Sequence, residues 1–418
     1  MSKKHKEIAK TPSYYVRKRL IKNKPAMIGL AFIVLIHIVA ILGYLIMPDS
    51  TPNANDGSAL IKKKPPGFHT TLLKFRKNRK IESPGLLTKM YQGEESPYII
   101  VPVKEYYINE HKLKVYYSKF GSESSMDSAN LFTITTPVYV GNSDKLSPGA
   151  EKNYKIKGDS ITYLDLEENV RKVAKADIVA DFKKNNIEDR YFLLGTDKAG
   201  RDITSRLLFG ARISLSIGFI SVLISLFVGI TLGAIAGFFG GWLDNFIMWL
   251  MTVVWSIPSI MLVIAISLAL QSKGIWVAFV AVGLTMWVEV ARVVRGQIIS
   301  IKEKLFVEAA KALGMKSMRI IFLHILPNMM GPLIVIATAN FASAILIEAG
   351  LSFLGLGVQP PMPSWGMMVN EGFHSIGSRD SGYLVLLPSI CISLTVLAFN
   401  LFGNGLRDAY DPKTAVKW

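Results

Sequence analysis

Residues 308–328 read EAAKALGMKSMRIIFLHILPN. The spacing of the apolar residues at its start predicts a short helix with one apolar stripe. The stripe consists of Leu305, Phe306, Ala309, Ala310 and Leu313. Gly314 is expected to end this helix, and Ser317 to cap a second helix that runs to Leu326, where Pro327 marks the re-entry into the next span. The segment is too short and too charged to cross a bilayer.

The runs around it are different, because six of them have the roughly 20 apolar residues that a helical span needs. They are residues 26–47, 214–238, 246–270, 275–294, 329–354 and 384–404. We therefore expect an all-α polytopic membrane protein with six transmembrane helices. Pro258 and Pro388 are expected to kink the third and sixth spans. The alternative for the first run, a cleaved signal peptide, is disfavoured because the run is about twice the usual apolar core.

Composition agrees with a membrane chain, since 50% of its 418 residues are apolar. Its net charge of +17 comes largely from basic residues beside the apolar runs, which argues against nucleic acid as a partner. Residues 1–25 hold nine Lys or Arg and one acid, Glu7, so we place this segment in the cytoplasm. Six spans then return the C-terminus to the cytoplasm, and residues 295–328 lie on the same side.

A hydrophilic stretch, residues 48–190, separates the first two spans and is expected to be an extracytoplasmic α+β domain. Three runs in it suggest strands: YIIVPVKEYYI (98–108), LFTITTPVYV (131–140) and YKIKGDSITYL (154–164). ENVRKVAKADIVADFKKN (168–185) has the pattern of an amphipathic helix.

Enzymatic chemistry finds no support in the sequence. GxSxG, HExxH and GxxxxGK[ST] patterns are absent, so we predict no catalytic residue, no metal site and no nucleotide cradle in this chain. The single cysteine, Cys391, lies in an apolar run and cannot form a disulfide within the chain. If ATP drives this protein, another polypeptide must bind it.

Two sets of residues inside the spans remain as candidates. Gly229, Gly233 and Gly237 recur every four residues and predict close helix packing, although glycine is also simply common in membrane helices. Glu289 and Arg292 lie three residues apart and are interpreted either as an ion pair near the inner boundary or as part of a translocation path. Glu348 is a second candidate for the path.

The opening segment resembles the EAA loop of the permease subunits of bacterial ABC importers. Glu308, Ala309, Ala310, Gly314, Leu326 and Pro327 match its pattern, and His324 departs from it at an isoleucine position. Two further stretches are similar to the C-type permease of oligopeptide and dipeptide importers: LGTDKAGRDITSRLLFGARISLSIG from Leu194 and LSFLGLGVQPPMPSWGMM from Leu351. The residues carried over from these two stretches, expected on the outer side, are Gly195, Thr196, Asp197, Gly200, Arg201, Asp202, Ser205, Arg206, Ser364, Trp365 and Gly366. The resemblance covers the first span and residues 191–418, with five spans, but not residues 48–190.

The resemblance implies an inner-membrane importer of the ABC permease fold. A heterodimer of two permeases would work with two cytoplasmic ATPase subunits, which bind ATP and Mg, and with an extracytoplasmic peptide-binding protein. The helix from Glu308 to Gly314 would dock in an ATPase cleft. Two alternatives stay open: a nickel or other small-solute permease of the same family, and a membrane-anchored sensor or scaffold whose outer domain is the working part.

Overall fold

The computed structural model describes residues 12–121, 126–141, 145–146, 153–272, 274–377 and 381–411. Residues 1–11 of the basic segment 1–25 lie outside the described residues. The α-helices within the described ranges are α1 (Pro12–Lys22), α2 (Lys24–Ile46), α3 (Leu86–Gln92), α4 (Leu131–Thr135), α5 (Lys175–Asn185), α6 (Ile203–Phe239), α7 (Gly241–Ser256), α8 (Ser259–Ala269), α9 (Ile275–Ile301), α10 (Leu305–Ala312), α11 (Ser317–Ile320), α12 (Leu326–Asn328), α13 (Met330–Phe353), α14 (Trp365–Phe373) and α15 (Tyr383–Tyr410).

The strands form two antiparallel sheets. They are β1 (Phe68–Arg76), β2 (Tyr98–Asn109), β3 (Lys114–Lys119), β4 (Asp127–Asn130), β5 (Tyr154–Lys157), β6 (Ser160–Leu164), β7 (Val170–Ala174) and β8 (Ile187–Phe192). The larger sheet has the order β4-β3-β2-β1-β8, and the smaller one the order β5-β6-β7. In the larger sheet, Thr71 of β1 stands opposite Val103 of β2 on one side and Asp189 of β8 on the other.

The chain divides into two compact units. The helical unit comprises Met1–Ala40, Gly210–Asn370 and Val385–Trp418, and the sheet unit comprises Ile41–Phe209 and Glu371–Leu384.

Within the described residues, five helices are long and apolar enough to cross a membrane: α2, α6, α9, α13 and α15. The expectation of one kinked helix over 246–270 is wrong, because α7 and α8 meet there at a bend of 96°. Pro258 lacks an N–H, and Ile257 before it is extended (φ −91°, ψ 127°), as residues preceding proline favour. Counted as one broken span, the pair brings the total to six. Pro388, in contrast, lies inside an uninterrupted α15.

Close packing joins α6 to α9 in the helical unit. A Cβ atom on Gly233 would lie 2.5 Å from the Ala291 carbonyl oxygen, and one on Gly229 would lie 2.5 Å from Val290 Cβ. Gly237 faces the backbone of Arg295 in the same way. The three glycines therefore let the backbone of α6 approach α9, as small residues do between membrane helices.

The core of the sheet unit lies between its sheets and two helices. Leu73, Val115, Phe132, Ile161 and Phe182 are all fully buried in it. They come from β1, β3, α4, β6 and α5, so the core joins both sheets to the helices and removes their apolar faces from water.

Two sequence expectations for this unit are wrong in part. Residues 131–140 are not a strand, because Leu131–Thr135 form α4, which the Asn130 side chain caps by accepting a hydrogen bond from Phe132 N at 2.9 Å. A local cap thus outweighs β propensity. Residues 168–185 are only partly helical, since 170–174 form β7 and helix begins at Lys175.

Candidate functional site

The helix α10 presents two different faces. Val307 and Ala310 are buried in an apolar cluster with residues of α9, including Val294 and Ile298. Leu305, at 82% exposed, and Leu313, at 81%, extend away from this cluster. The predicted stripe is therefore divided: Ala310 packs inside its own unit, whereas Ala309 and Glu308 are exposed.

Gly314 ends α10 in a left-handed conformation, with φ +73°. Its N–H donates to the Lys311 carbonyl at 2.9 Å, and the next N–H, of Met315, donates to the Ala310 carbonyl at 3.2 Å. These two bonds make a Schellman cap, which satisfies carbonyls that the helix end leaves free. Met315 also packs against the cluster that holds Ala310. The turn after α10 is thus fixed by backbone and side chain together.

The segment after this turn differs from the expected second helix. The N-cap of α11 is Lys316, and Ser317, the predicted cap, is its first helical residue. A π-helical turn, Ile321–Ile325, follows before α12, which contains Pro327. Leu326 packs against the cluster around α10, whereas Pro327 is exposed.

In the sheet unit, residues 195–206 form a turn that leads into α6. Asp197 Oδ1 accepts hydrogen bonds from Ala199 N and Arg201 N, at 2.8 and 2.9 Å. Asp202 Oδ2 accepts from Ser205 N at 2.8 Å, which caps the helix start. Thr196 Oγ1 accepts from the backbone N–H of Lys64 at 2.9 Å, and Gly195 and Gly200 lie at bends of this turn with positive φ.

Charged side chains from this turn meet Glu371 of the same unit. Arg201 Nε lies 2.7 Å from Asp197 Oδ2, and Arg206 Nε lies 3.3 Å from the same oxygen. Both guanidinium groups also contact Glu371 Oε2, at 3.3 and 3.2 Å. Arg201 donates to Asn55 Oδ1 as well. The cluster is buried, and its ion pairs hold the turn against Glu371. Glu371 was not among the site residues predicted from the sequence, although it lies only five residues after Gly366 of a family motif.

Glu348 lies in the helical unit at the meeting point of three chain segments. Its carboxylate accepts hydrogen bonds from Ser352 Oγ at 2.7 Å and from Ser214 Oγ at 3.3 Å. Ser214 in turn accepts from the backbone N–H of Trp365 at 3.2 Å. Ser364 caps α14 by accepting from Met367 N.

Gly366 packs against the same region, since a Cβ atom on it would lie 2.6 Å from Ala349 Cα. The structure thus brings the Ser364–Trp365–Gly366 motif against Glu348, a proximity that sequence analysis did not predict. A fully buried carboxylate held by hydroxyls joins α6, α13 and α14.

Glu289 and Arg292 do not form the ion pair considered above, since the described residues contain no salt bridge between them. The Arg292 guanidinium instead lies 3.9 Å from the centre of the Trp255 ring. Another ion pair joins these helices: Arg295 Nε and Nη2 lie 2.5 and 2.7 Å from the two oxygens of Asp244. Sequence analysis missed it, although Asp244 is the single acid between residues 203 and 288.

The described residues contain no group of three or more His, Cys, Asp or Glu side chains arranged to hold a metal ion.

Comparison with known proteins places these features in a family. Residues 229–416 match the model of the binding-protein-dependent transport system inner membrane component, and residues 11–66 match the N-terminal TM domain of oligopeptide transport permease C. Neither model matches residues 67–228, which contain every strand of the described residues.

Curated relatives agree. The chain is 48% identical to the dipeptide transport system permease protein DppC of Alkalihalophilus pseudofirmus, over 52% of this chain and 71% of that protein. It is 44% identical to the glutathione transport system permease protein GsiD of Pectobacterium atrosepticum, over 53% and 72%. It is 40% identical to the oligopeptide transport system permease protein OppC of Bacillus subtilis, over 54% and 72%.

Among solved structures, an inward-facing MetNI methionine ABC transporter matches with a TM-score of 0.39 and 19% identity, over 48% of this chain and 95% of that chain.

The apolar helices, the family models and the curated relatives define a multi-pass inner-membrane permease. The chain belongs to the family of binding-protein-dependent transport system inner membrane components, the permease subunits of ABC importers. This family works with ATPase subunits and a substrate-binding protein.

Proposed function

We propose that this chain is the permease subunit of an importer that moves dipeptides or oligopeptides across the inner membrane. The names of its relatives support peptides as the substrate class. ATP and Mg are bound by two separate cytoplasmic ATPase subunits, so this chain carries no cofactor and no catalytic residue. A second, different permease completes the pathway, and an extracytoplasmic binding protein delivers the peptide.

The observation that carries the proposal is the outward face of α10. Leu305, Phe306 and Leu313 are exposed in a helix whose opposite side is firmly packed. An apolar helix face next to Glu308 suits a groove in a partner protein, with the carboxylate at the rim. We assign this face to the ATPase subunit and place it, with both termini, in the cytoplasm.

In this proposal, ATP acts on the permease through the contact between α10 and the ATPase subunit. The ATPase pair can shift the permease between two states only if it binds α10 more favourably in one of them. The Schellman cap at Gly314 and the buried Val307 and Ala310 hold α10 rigidly on α9, so a displacement of α10 reaches the spans.

The test replaces Leu313 by Asp, which places a charge in the groove without touching the buried face. Uptake of a labelled dipeptide and co-purification of the ATPase subunits are both expected to fall strongly. Ile21→Asp is the matched control, because Ile21 is 55% exposed in the helical unit and distant in sequence from α10. Normal uptake by Leu313→Asp would remove the coupling role and favour the sensor or scaffold alternative. If a transporter with the unmodified chain took up nickel and not peptides, the proposed substrate class would be wrong and nickel would take its place.

We propose that the sheet unit lies on the outer side of the membrane and provides a docking surface for the binding protein or the second permease. Gly67 N–H donates to the carbonyls of Phe192 and Leu193, at 3.1 and 3.2 Å, so residues 68–192 can be deleted and the ends rejoined by a short linker. Loss of complex assembly or uptake is the expected result. Intact assembly and uptake would show that this docking role is wrong.

A further inference from the structure

A cavity of about 410 Å³ lies in the helical unit beside the break between α7 and α8. Its wall is mostly apolar and includes Trp255, Ile257, Leu262, Met286, Leu346 and Ile347. Ser259, Thr285 and Ser343 add hydroxyl groups from α8, α9 and α13. An apolar pocket with a few polar groups is the usual form of a small-molecule site.

Among the described residues that line the cavity, Glu289 is the one with a charged side chain. It is exposed, and within the described residues it forms no salt bridge and no hydrogen bond from its side chain. Its helix, α9, runs from Ile275 to Ile301, so Glu289 lies about midway along a spanning helix. A carboxylate in such a position is costly in lipid and normally faces a cavity or a partner.

The cations nearest in sequence are already engaged. Arg292, the expected partner, stacks on Trp255, where the cation and the ring attract each other. Arg295 is held by both oxygens of Asp244. The arrangement therefore leaves the Glu289 carboxylate available to a cation from outside the described chain, and that cation would enter an apolar cavity.

We propose that this cavity is a peptide subsite in which Glu289 binds an ammonium group of the transported peptide. The inference rests on the proposed function, because it takes peptides as the substrate class. The apolar wall accommodates a side chain of the peptide. The Ser259 and Ser343 hydroxyls can bond its amide groups, whereas Thr285 Oγ1 already donates to the Val282 carbonyl at 2.7 Å and can only accept. The ammonium group has two sources, the peptide N-terminus and a lysine side chain, which share the same chemistry.

The experiment uses the assembled transporter in nanodiscs without the binding protein, and measures peptide contact by saturation-transfer NMR. Trialanine is expected to give a signal that falls about tenfold or more in Glu289→Gln, as loss of one charge-assisted hydrogen bond predicts. Glu289→Asp, which keeps the charge, is expected to retain most of the signal. Glu303→Gln is the control, since Glu303 is an exposed carboxylate just beyond the end of α9.

Blocked peptides distinguish the two sources of the ammonium group. N-acetyl-trialanine, which has no ammonium group, is expected to give no signal. N-acetyl-alanyl-lysine is expected to give a signal if the site also binds a lysine ammonium group. Equal signals from trialanine and N-acetyl-trialanine, or an unchanged signal in Glu289→Gln, would overturn the subsite while peptide uptake by the unmodified chain still supported the proposed function. Absence of both uptake and signal would overturn both.

Discussion

Arg206 and Glu371 form a buried ion pair across 165 residues of sequence, with Arg206 Nη2 3.2 Å from Glu371 Oε2. The Arg206 side chain is fully buried, so its charge depends on this carboxylate and on Asp197. Such a pair gives little net stability over an apolar substitute. Removing Arg206, however, leaves two buried carboxylates, Asp197 and Glu371, to share the one buried guanidinium of Arg201, so one buried negative charge is no longer balanced.

Arg206→Ala is therefore expected to lower the free energy of unfolding by about 3–5 kcal/mol, measured by thermal unfolding of the purified protein in detergent. Lys198→Ala is the control, because the Lys198 ammonium also contacts Glu371, at 3.3 Å, but its side chain is 48% exposed. Its loss should cost less than about 1 kcal/mol. Equal effects of the two substitutions would show that burial does not set the cost.

Gly314→Ala is expected to reduce peptide-stimulated ATP hydrolysis by the assembled transporter. The φ of +73° costs an L-residue about 1–2 kcal/mol, although no atom lies within 4 Å of the new Cβ. Gly314→Pro should be more severe, because proline cannot adopt this φ and loses the N–H that bonds Lys311.

Gly296→Ala is the control for this series. Gly296 also has open space at its Cβ position, but it lies in the helix α9 without a positive φ. Alanine there should be neutral or stabilising by about 0.5–1 kcal/mol. Normal ATP hydrolysis by Gly314→Pro would mean that α10 needs no rigid end.

Glu348→Ala is expected to lower the free energy of unfolding by about 1–3 kcal/mol, because Ser214 and Ser352 would lose their shared acceptor inside the protein. Glu348→Gln keeps one acceptor oxygen and should cost clearly less. Thermal unfolding of both variants measures the difference. An Ala variant as stable as the unmodified chain would mean that water replaces the carboxylate.

The sheet unit should lose stability as pH rises through about 6. Burial, and secondly the charge of Asp49, raise the pKa of Asp56 from 3.8 to about 6. The folded state therefore holds this proton more tightly than the unfolded state, so the stabilisation is fully present below pH 3.8 and is lost as pH passes 6.

The expected change is roughly 2 kcal/mol between pH 4 and pH 7, followed by thermal unfolding at each pH. Asp56→Asn should flatten this part of the profile. A slope that survives in Asp56→Asn would have to come from other groups, Asp49 first, whose pKa burial also raises.

Local patterns in the sequence predicted five of the apolar helices that are long enough to span a membrane, and the end of α10, since these depend on apolar run length and on one glycine. The break at Pro258 was predicted as a kink, because the angle depends on what packs around both helices. The contacts of Glu348 with Ser214 and of Arg206 with Glu371 could not be predicted from the sequence, because contacts between residues far apart in the chain leave no periodic pattern. The strand predicted for residues 131–140 was wrong for a local reason. The Asn130 side chain caps α4, and this one cap outweighs the strand preference of the residues that follow it.

The glycine contacts between α6 and α9 also limit how far these two helices can shift relative to each other. Side chains can absorb a small displacement by changing rotamer, but Gly233 meets the Ala291 backbone directly and has no such freedom. Val307 of α10 packs in one cluster with Val294 of α9, so these contacts would couple a displacement of α10 to α9 and, through the glycines, to α6.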